Sequence, residues 1–313
     1  MSGTESALGS GELGEGVPAA PGGVPAAEAA SGLGRAIAYV AHRPGLAFGL
    51  GIVFVLALGA LLAPVVAPFP GDAGNDTNLL AALQPPGGAH LLGTDLAGRD
   101  VWSRIVFGIR ISVGVSVLVI VASLLVGIPV GLFAGAVGGK LDDLLMRIVD
   151  VFLAFPSLLL ALAISATLGP SMEHAAIAIV ISWWPWYARL MRGEAAAIRG
   201  RAYVEAALLL GIPRWRVALR HILPNAIGPI IVQASLDLGG VILTFAALSF
   251  LGLGAQDPTP EWGLMVEQGR TLTSTQPWVA LFPGAAIMVA ALAFTLLGEG
   301  LRERLDPKGR ARS

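Results

Sequence analysis

The chain has 313 residues, 55% hydrophobic and only 13% charged, with a net charge of −1. Soluble domains carry about 25% charged residues, so the deficit points to a membrane, and the near-neutral balance excludes the global basic field of a nucleic-acid binder. There is no cysteine, which excludes disulfides, Cys-ligated zinc, iron–sulfur clusters and thiol nucleophiles together.

Residues 1–35 are rich in Gly, Ala, Pro, Ser and Glu and almost devoid of large apolar side chains. Such a segment buries too little surface to offset its ordering entropy, so a disordered tail is expected over 1–42. It does not read as a signal peptide, because the first apolar run starts more than 40 residues in. Six apolar stretches follow, each near the ~20 residues a helix needs to cross hydrocarbon. They lie at about Leu46–Pro68, Ile111–Gly135, Ile148–Leu168, Ala175–Met191, Ile227–Leu251 and Trp278–Leu297. The expected fold is an all-α membrane protein with six transmembrane helices. The fourth stretch carries Trp183, Trp184, Trp186 and Tyr187, which fit a membrane interface or, alternatively, core packing. Pro156 and Pro185 are expected to kink their helices.

Lys and Arg set the orientation. With the N terminus in the cytoplasm, sixteen of the 20 basic residues fall inside and four outside: Arg99, Arg104, Arg110 and Arg270. Both termini are therefore expected to be cytoplasmic, in a plasma membrane. Arg99, Arg104 and Arg110 are the local exception and suit an amphipathic segment at the outer face. No Walker A pattern occurs: Gly138-Gly139-Lys140 is followed by Leu141 and lacks the upstream Gly. The chain is thus not expected to hold ATP through a phosphate loop. His42, His90, His174 and His221 are scattered, without metal-site spacing.

The charged segment Glu205–Pro224, EAALLLGIPRWRVALRHILP, interrupts the apolar runs. Tyr203, Ala206, Ala207 and Leu210 recur at i, i+3, i+4 and i+7, one face of a helix. Gly211 stands where a left-handed C-terminal cap needs Gly, and Pro213 where the first turn of a new helix tolerates Pro. Trp215, Ala218, Leu219 and Ile222 form a second stripe, with Arg214, Arg216, Arg220 and His221 off it, and Pro224 closes the segment. Two short amphipathic helices with a fixed bend are expected, with Glu205–Gly211 turned outward and Trp215, Leu219 and Ile222 packed on the chain's own spans. Such a pair suits a groove on a partner or, alternatively, packs beneath its own bundle at the interface.

The spacing from Glu205-Ala206-Ala207 to Gly211 and Leu223-Pro224 resembles the EAA loop of ABC-importer permeases. HLLGTDLAGRDVWSRIVFGIRIS (His90–Ser112), DDLLMRIVDVFLAFPSLLLALA (Asp142–Ala163), YVEAALLLGIP, RHILPN (Arg220–Asn225), LSFLGLG (Leu248–Gly254), Trp262-Gly263 and LLGEGLRERLDP (Leu296–Pro307) are similar to the dipeptide, oligopeptide and nickel branch, and to its permease C proteins in particular. His221 is typical of the peptide branch; Thr295 departs from the Asn often found there. The resemblance implies a six-span core, a homologous second permease, two ATPase subunits and an extracytoplasmic substrate-binding protein. It also implies that ATP and Mg sit on the ATPases, with no cofactor on this non-catalytic chain. Glu205, Ala206, Ala207, Gly211, Pro213, Leu223 and Pro224 would be ATPase-coupling residues. The implied domains are a first transmembrane helix and outer loop over 43–110, a transmembrane domain over 111–307 with its coupling loop at 194–224, and a cytoplasmic tail over 308–313. Nickel or another small ligand of the branch is the alternative substrate; the absence of a His cluster favours peptide.

Polar residues within the spans carry the remaining signal, since a charge at membrane depth costs about 2.5–3.5 kcal/mol on insertion scales. Asp150 is expected to pair with Arg147. Asp237, with Gln233, Thr244 and Ser249, would give the fifth span a polar side suited to a translocation path, or to interhelical hydrogen bonding alone. The outer connections Pro70–Arg110 and Ala255–Gln276 are candidate docking loops for the binding protein. A stand-alone secondary transporter is disfavoured by the lack of an internal repeat, and a membrane enzyme by the lack of GxSxG and HExxH motifs.

Overall fold

In hydrocarbon a chain must satisfy its backbone groups internally, which a helix does within one segment. The computed structural model describes Val40 and residues 43–305, and these are overwhelmingly helical, with two isolated β-bridges and no strand among them. Apart from Val40, the expected tails over 1–42 and 308–313 lie outside the described residues.

Helix α1 (Pro44–Val66) starts on a Pro in its first turn, where the missing N–H costs nothing. Helix α2 (Val101–Val137) is capped by Asp100, whose carboxylate accepts the Ser103 N–H at 2.8 Å. Gly127 and Gly135 on α2 bring its backbone against α5 (Met172–Arg199). A Cβ at Gly127 would lie 2.7 Å from the Trp184 carbonyl, and one at Gly135 2.6 Å from that of Arg192. Small residues at such spacing let helices approach closely in membranes, where no hydrophobic force drives them together. Helices α8 (Leu223–Phe250) and α10 (Trp278–Leu305) complete the bundle.

Among the described residues four helices are long and apolar enough to cross a membrane: Pro44–Val66, Val101–Val137, Arg214–Phe250 and Trp278–Glu303. A fifth arises if α3 (Gly139–Leu153) and α4 (Ser157–Leu168) are one span. The expected third span, Ile148–Leu168, is therefore not one helix. It breaks at 154–156 with an 82° bend, because Pro156 forces its predecessor out of the helical region. Pro185 by contrast stays inside α5. That helix contains the expected fourth span, but its Trp-Trp-Pro-Trp-Tyr run and flanking charges leave it too polar to be counted by composition.

Those aromatics occupy the middle of α5. Tyr187 is fully buried in the core and Trp184 packs edge-on to Phe152, whereas Trp186 is half-exposed. Asp150 pairs with Arg189 of α5, not with Arg147 on its own helix, and Asp142 receives a bidentate Arg192 at 2.7 and 3.0 Å. Both ion pairs tie the amphipathic α3 to α5.

The end of the bundle opposite Glu205 carries a folded lobe built from residues 67–100 and the turn after α8. Arg99 and Arg104 do not form an amphipathic surface segment. They are buried around Asp95, with Arg99 Nε 2.8 Å from its carboxylate and Arg104 Nε 3.5 Å away. Arg99 also reaches Asp257 at 3.0 Å. Arg110 instead donates to the Ala60 and Leu61 carbonyls near the end of α1. The connection Ala255–Gln276 is no open loop: it contains α9 (Trp262–Gly269), whose Trp262 is buried and donates to the Ile105 carbonyl at 3.0 Å.

Candidate functional site

Two regions collect the expected site residues. The first is the hinge between α5 and α8. Helix α6 (Ala202–Leu209) ends on Gly211, which has φ +80°. The Ile212 N–H donates to the Ala207 carbonyl at 3.2 Å and the Gly211 N–H to that of Leu208 at 3.0 Å. These are the 6→1 and 5→2 bonds of a Schellman cap, with Gly at the left-handed position. Pro213 then serves as N-cap of α7 (Arg214–Val217), its carbonyl accepting the Arg216 and Val217 N–H groups at 2.9 and 3.1 Å. It stands one residue before the first turn expected for it.

The second helix is not a separate short element. Arg214–Val217 runs through a π turn at Ala218–Ile222 straight into α8, where Leu223-Pro224 begins the long helix instead of closing the segment. Pro224 has no N–H, so a regular helix would leave the carbonyl four residues back unpaired. The π turn shifts the pairing, with the Leu223 N–H on the Ala218 carbonyl.

The buried faces also differ from the expected stripes. Val204 and Ala207 are buried on α6, whereas Tyr203, Ala206 and Leu210 are exposed. On the following helix Val217, Ala218 and Ile222 are buried, but Trp215 and Leu219 are exposed. Leu209 and Leu210 stand out at 89% and 81% exposure, with the Arg216 guanidinium 5.2 Å from the Trp215 ring. Ala207, Ala218 and Ile222 are buried as expected, whereas Tyr203, Ala206, Leu210, Trp215 and Leu219 are not, because contact with α2 and α5 sets the roll of each helix. Glu205 is exposed and has no ion-pair partner among the described residues. This end thus presents an uncovered apolar patch, Tyr203, Leu209, Leu210, Trp215 and Leu219, rimmed by Glu205 and by Arg214, Arg216 and Arg220.

The second region lies halfway along the helices. Tyr187 of α5 donates to Asp237 Oδ2 at 2.8 Å and Gln233 donates to Oδ1 at 2.9 Å. The carboxylate lies on a cavity of about 300 Å³. One wall is the α3–α4 break, through Leu153, Phe155 and Ser157; another is α5, through Ser182, Trp183 and Trp186. Tyr187, missed as a site residue, could have been flagged by its depth, since a buried phenol needs a partner.

The other two expected path residues lie elsewhere. The Thr244 hydroxyl turns back to the Gly240 carbonyl at 2.8 Å. Ser249 is fully buried under the lobe, where it accepts the Ala255 N–H at 3.2 Å and bonds Glu261. Glu261 caps α9, accepting the Gly263 and Leu264 N–H groups at 3.0 and 2.9 Å and the Ser112 hydroxyl at 3.1 Å. Burial pushes its carboxyl above the ordinary range, against those hydrogen bonds. The same helix carries all four expected residues, but α5, the break and the lobe divide them between two environments.

The sequence pattern described as "Binding-protein-dependent transport system inner membrane component" matches residues 127–311. The chain belongs to that family. This permease is 44% identical over 257 residues to the probable D,D-dipeptide transport system permease protein of Escherichia coli (strain K12), covering 82% of this chain and 85% of the relative. It is 45% identical over 260 residues to the dipeptide transport system permease protein of Alkalihalophilus pseudofirmus, covering 83% and 84%. A glutathione transport system permease protein of Pectobacterium atrosepticum is 40% identical over 270 residues, covering 86% and 89%. Among solved structures, an inward-facing MetNI methionine ABC transporter chain matches with TM-score 0.53 at 16% identity, over 65% of the permease and 97% of that chain. At that identity the likeness concerns the fold. The permease is a multi-pass membrane protein of ABC-transporter type.

Proposed function

We propose that the permease forms one half of the translocation path of an ABC importer for short peptides and that ATPase subunits grip it at the Glu205 hinge. The observation that carries this reading is the uncovered apolar patch on α6 and α7, held at a fixed angle by the Gly211 cap. Leucines exposed at 81–89% on a charged end of a membrane protein mark an interaction site. Glu205, Ala206, Ala207, Gly211, Pro213, Leu223 and Pro224 act here as the coupling unit: Ala207 seats α6, Gly211 and Pro213 fix the bend, and Leu223-Pro224 passes motion into α8. The relatives that transport dipeptides and glutathione support a peptide substrate.

On this reading the bundle holds six spans, with α5 and the broken α3–α4 pair supplying two of them. Both termini and the Glu205 end face the cytoplasm, in keeping with sixteen basic residues on that side. A homologous second permease closes the path, two ATPases carry ATP and Mg, and an extracytoplasmic binding protein docks on the lobe around Asp95 and Asp257. ATP-driven closure of the ATPases moves the hinge as a rigid body, and the two permeases rock between outward and inward access.

The test is co-purification. Leu210→Asp places a charge on a side chain with little packing of its own, so the permease is expected to fold and to pair with its partner permease yet lose the ATPases. Retention of both ATPases by Leu210→Asp and by Trp215→Asp would sink the reading.

A further inference from the structure

The cavity beside Asp237 is assembled in a way that helix packing alone does not require. Helix α3 ends at Leu153, on the cavity wall, where the 82° break separates it from α4. The C-terminal end of a helix carries roughly half a negative charge on carbonyls without partners. Asp237 adds a carboxylate from α8. The N-terminal end of α4 begins at Ser157 on the same wall and opposes that helix-end charge, so the net negative charge at the cavity is that of Asp237, and neither Lys, Arg nor His is among the residues that line it.

The other walls suit a cation as well. Trp183 and Trp186 bring indole rings to the space, and indoles are the strongest cation–π partners among side chains. Each oxygen of Asp237 takes one hydrogen bond, from Tyr187 or from Gln233. A carboxylate has about four lone-pair sites, so acceptor capacity is left over. The Tyr187 and Gln233 bonds hold the group in place without neutralising it. Position agrees too: Asp237 lies midway along α8, Trp183 and Trp186 midway along α5, and the break midway between Gly139 and Leu168. Discontinuous helices meeting ionisable groups at mid-depth form substrate sites in other transporter folds.

We propose that this cavity receives a protonated primary amine of the translocating substrate, with Asp237 as counter-ion and Trp183 and Trp186 as aromatic walls. It is a weak stopping point within the path: about 300 Å³ holds a small residue with its ammonium group, at the lower end of the range for ligand pockets. The assignment rests on the importer reading above and adds to it the chemistry that the path recognises.

The experiment uses the assembled transporter in nanodiscs, without binding protein or nucleotide, and saturation-transfer NMR with Ala-Ala as probe. N-acetyl-Ala-Ala lacks the ammonium, and N-acetyl-Ala-Lys keeps one on the side chain only. Ala-Ala is expected to lose at least ten-fold in signal on acetylation, and to lose as much on Asp237→Asn. Asp237→Glu is expected to restore part of it. Trp186→Leu, at a half-exposed ring, is expected to weaken binding about three-fold, and covers the case in which the Asn variant fails to assemble. Binding of N-acetyl-Ala-Lys assigns the site to any primary ammonium, and its loss assigns the site to the peptide N terminus. Equal binding of Ala-Ala and N-acetyl-Ala-Ala, or Ala-Ala binding untouched by Asp237→Asn and Trp186→Leu, overturns the proposal. Failure to capture ATPases would instead count against the importer reading, and the same NMR comparison on the isolated permease would still decide the cavity.

Discussion

Replacing Gly211 tests the hinge through its backbone alone. A Cβ added there meets nothing within 4 Å, so packing within this chain contributes no penalty. The cost comes from φ +80°, a left-handed conformation worth about 1–2 kcal/mol against an ordinary L-residue. Asn tolerates this region several-fold better than most residues, and a β-branched side chain least. The order of damage is therefore Asn, then Ala, then Val. A loss of 1–2 kcal/mol changes a local equilibrium by about 5–30-fold, which here divides capped from uncapped hinge, and apparent affinity for a partner falls with the competent fraction. In proteoliposomes holding the assembled transporter, ATP hydrolysis stimulated by loaded binding protein is the assay. We expect Asn to keep most of the stimulation, Ala to be intermediate and Val to fall about ten-fold, with melting of the bundle unchanged in all three. Equal activity of the Val and Asn variants would refute the argument, because the φ preference of the two side chains differs whatever they touch.

Gly127→Val forces a side chain to within 2.7 Å of the Trp184 carbonyl and the Tyr187 Cβ, and overpacking of this kind costs about 1–3 kcal/mol. Thermal melting in detergent should fall by several degrees, while Gly114→Ala, with nothing within 4 Å, stays near wild type. Asp95→Asn leaves the buried Arg99 and Arg104 short of their shared carboxylate; breaking a buried pair costs about 3–5 kcal/mol, and protease cleavage within residues 67–100 should rise sharply. Glu261 gives a pH signature. Its folded pKa lies above the ordinary 4.5, so the native state binds more protons than the unfolded one, and stability should fall as pH rises from about 4.5. Glu261→Gln removes the titrating group, and its melting temperature should be flatter over the same range; parallel pH curves for the two proteins would contradict the assignment.

Much of the hinge was legible because turn chemistry is local. Gly211 could be placed by its offset from the helix it ends, and the structure supplies the cap bonds that offset implies. The roll of α6 and α7 was not legible. Tyr203 and Leu210 satisfy helical periodicity as well as Val204 and Ala207 do, and contact with α2 and α5 chooses between them. Pro224 misled for a related reason. A proline reads as a stop, yet the π turn at Ala218–Ile222 absorbs its missing donor and lets the helix continue.

Composition and periodicity fixed the class: apolar runs of about twenty residues, a charge deficit and an arginine-rich connection leave little besides a helical membrane protein with one polar handle. They also brought out Gln233 and Asp237, because a carboxylate in an apolar run is conspicuous wherever it packs. Only the tertiary structure decided what that carboxylate faces. Tyr187 lies 50 residues away in sequence, and the cavity wall comes from a helix break that hydropathy reads straight through. The buried Asp95–Arg99–Arg104 cluster, which the exposed Asp257 reaches from its edge, was likewise invisible, since charges in the chain read as surface until the fold removes their water. Local rules depend on neighbours in the chain and can be read from it; the pairing of charges and the facing of helices depend on neighbours in space.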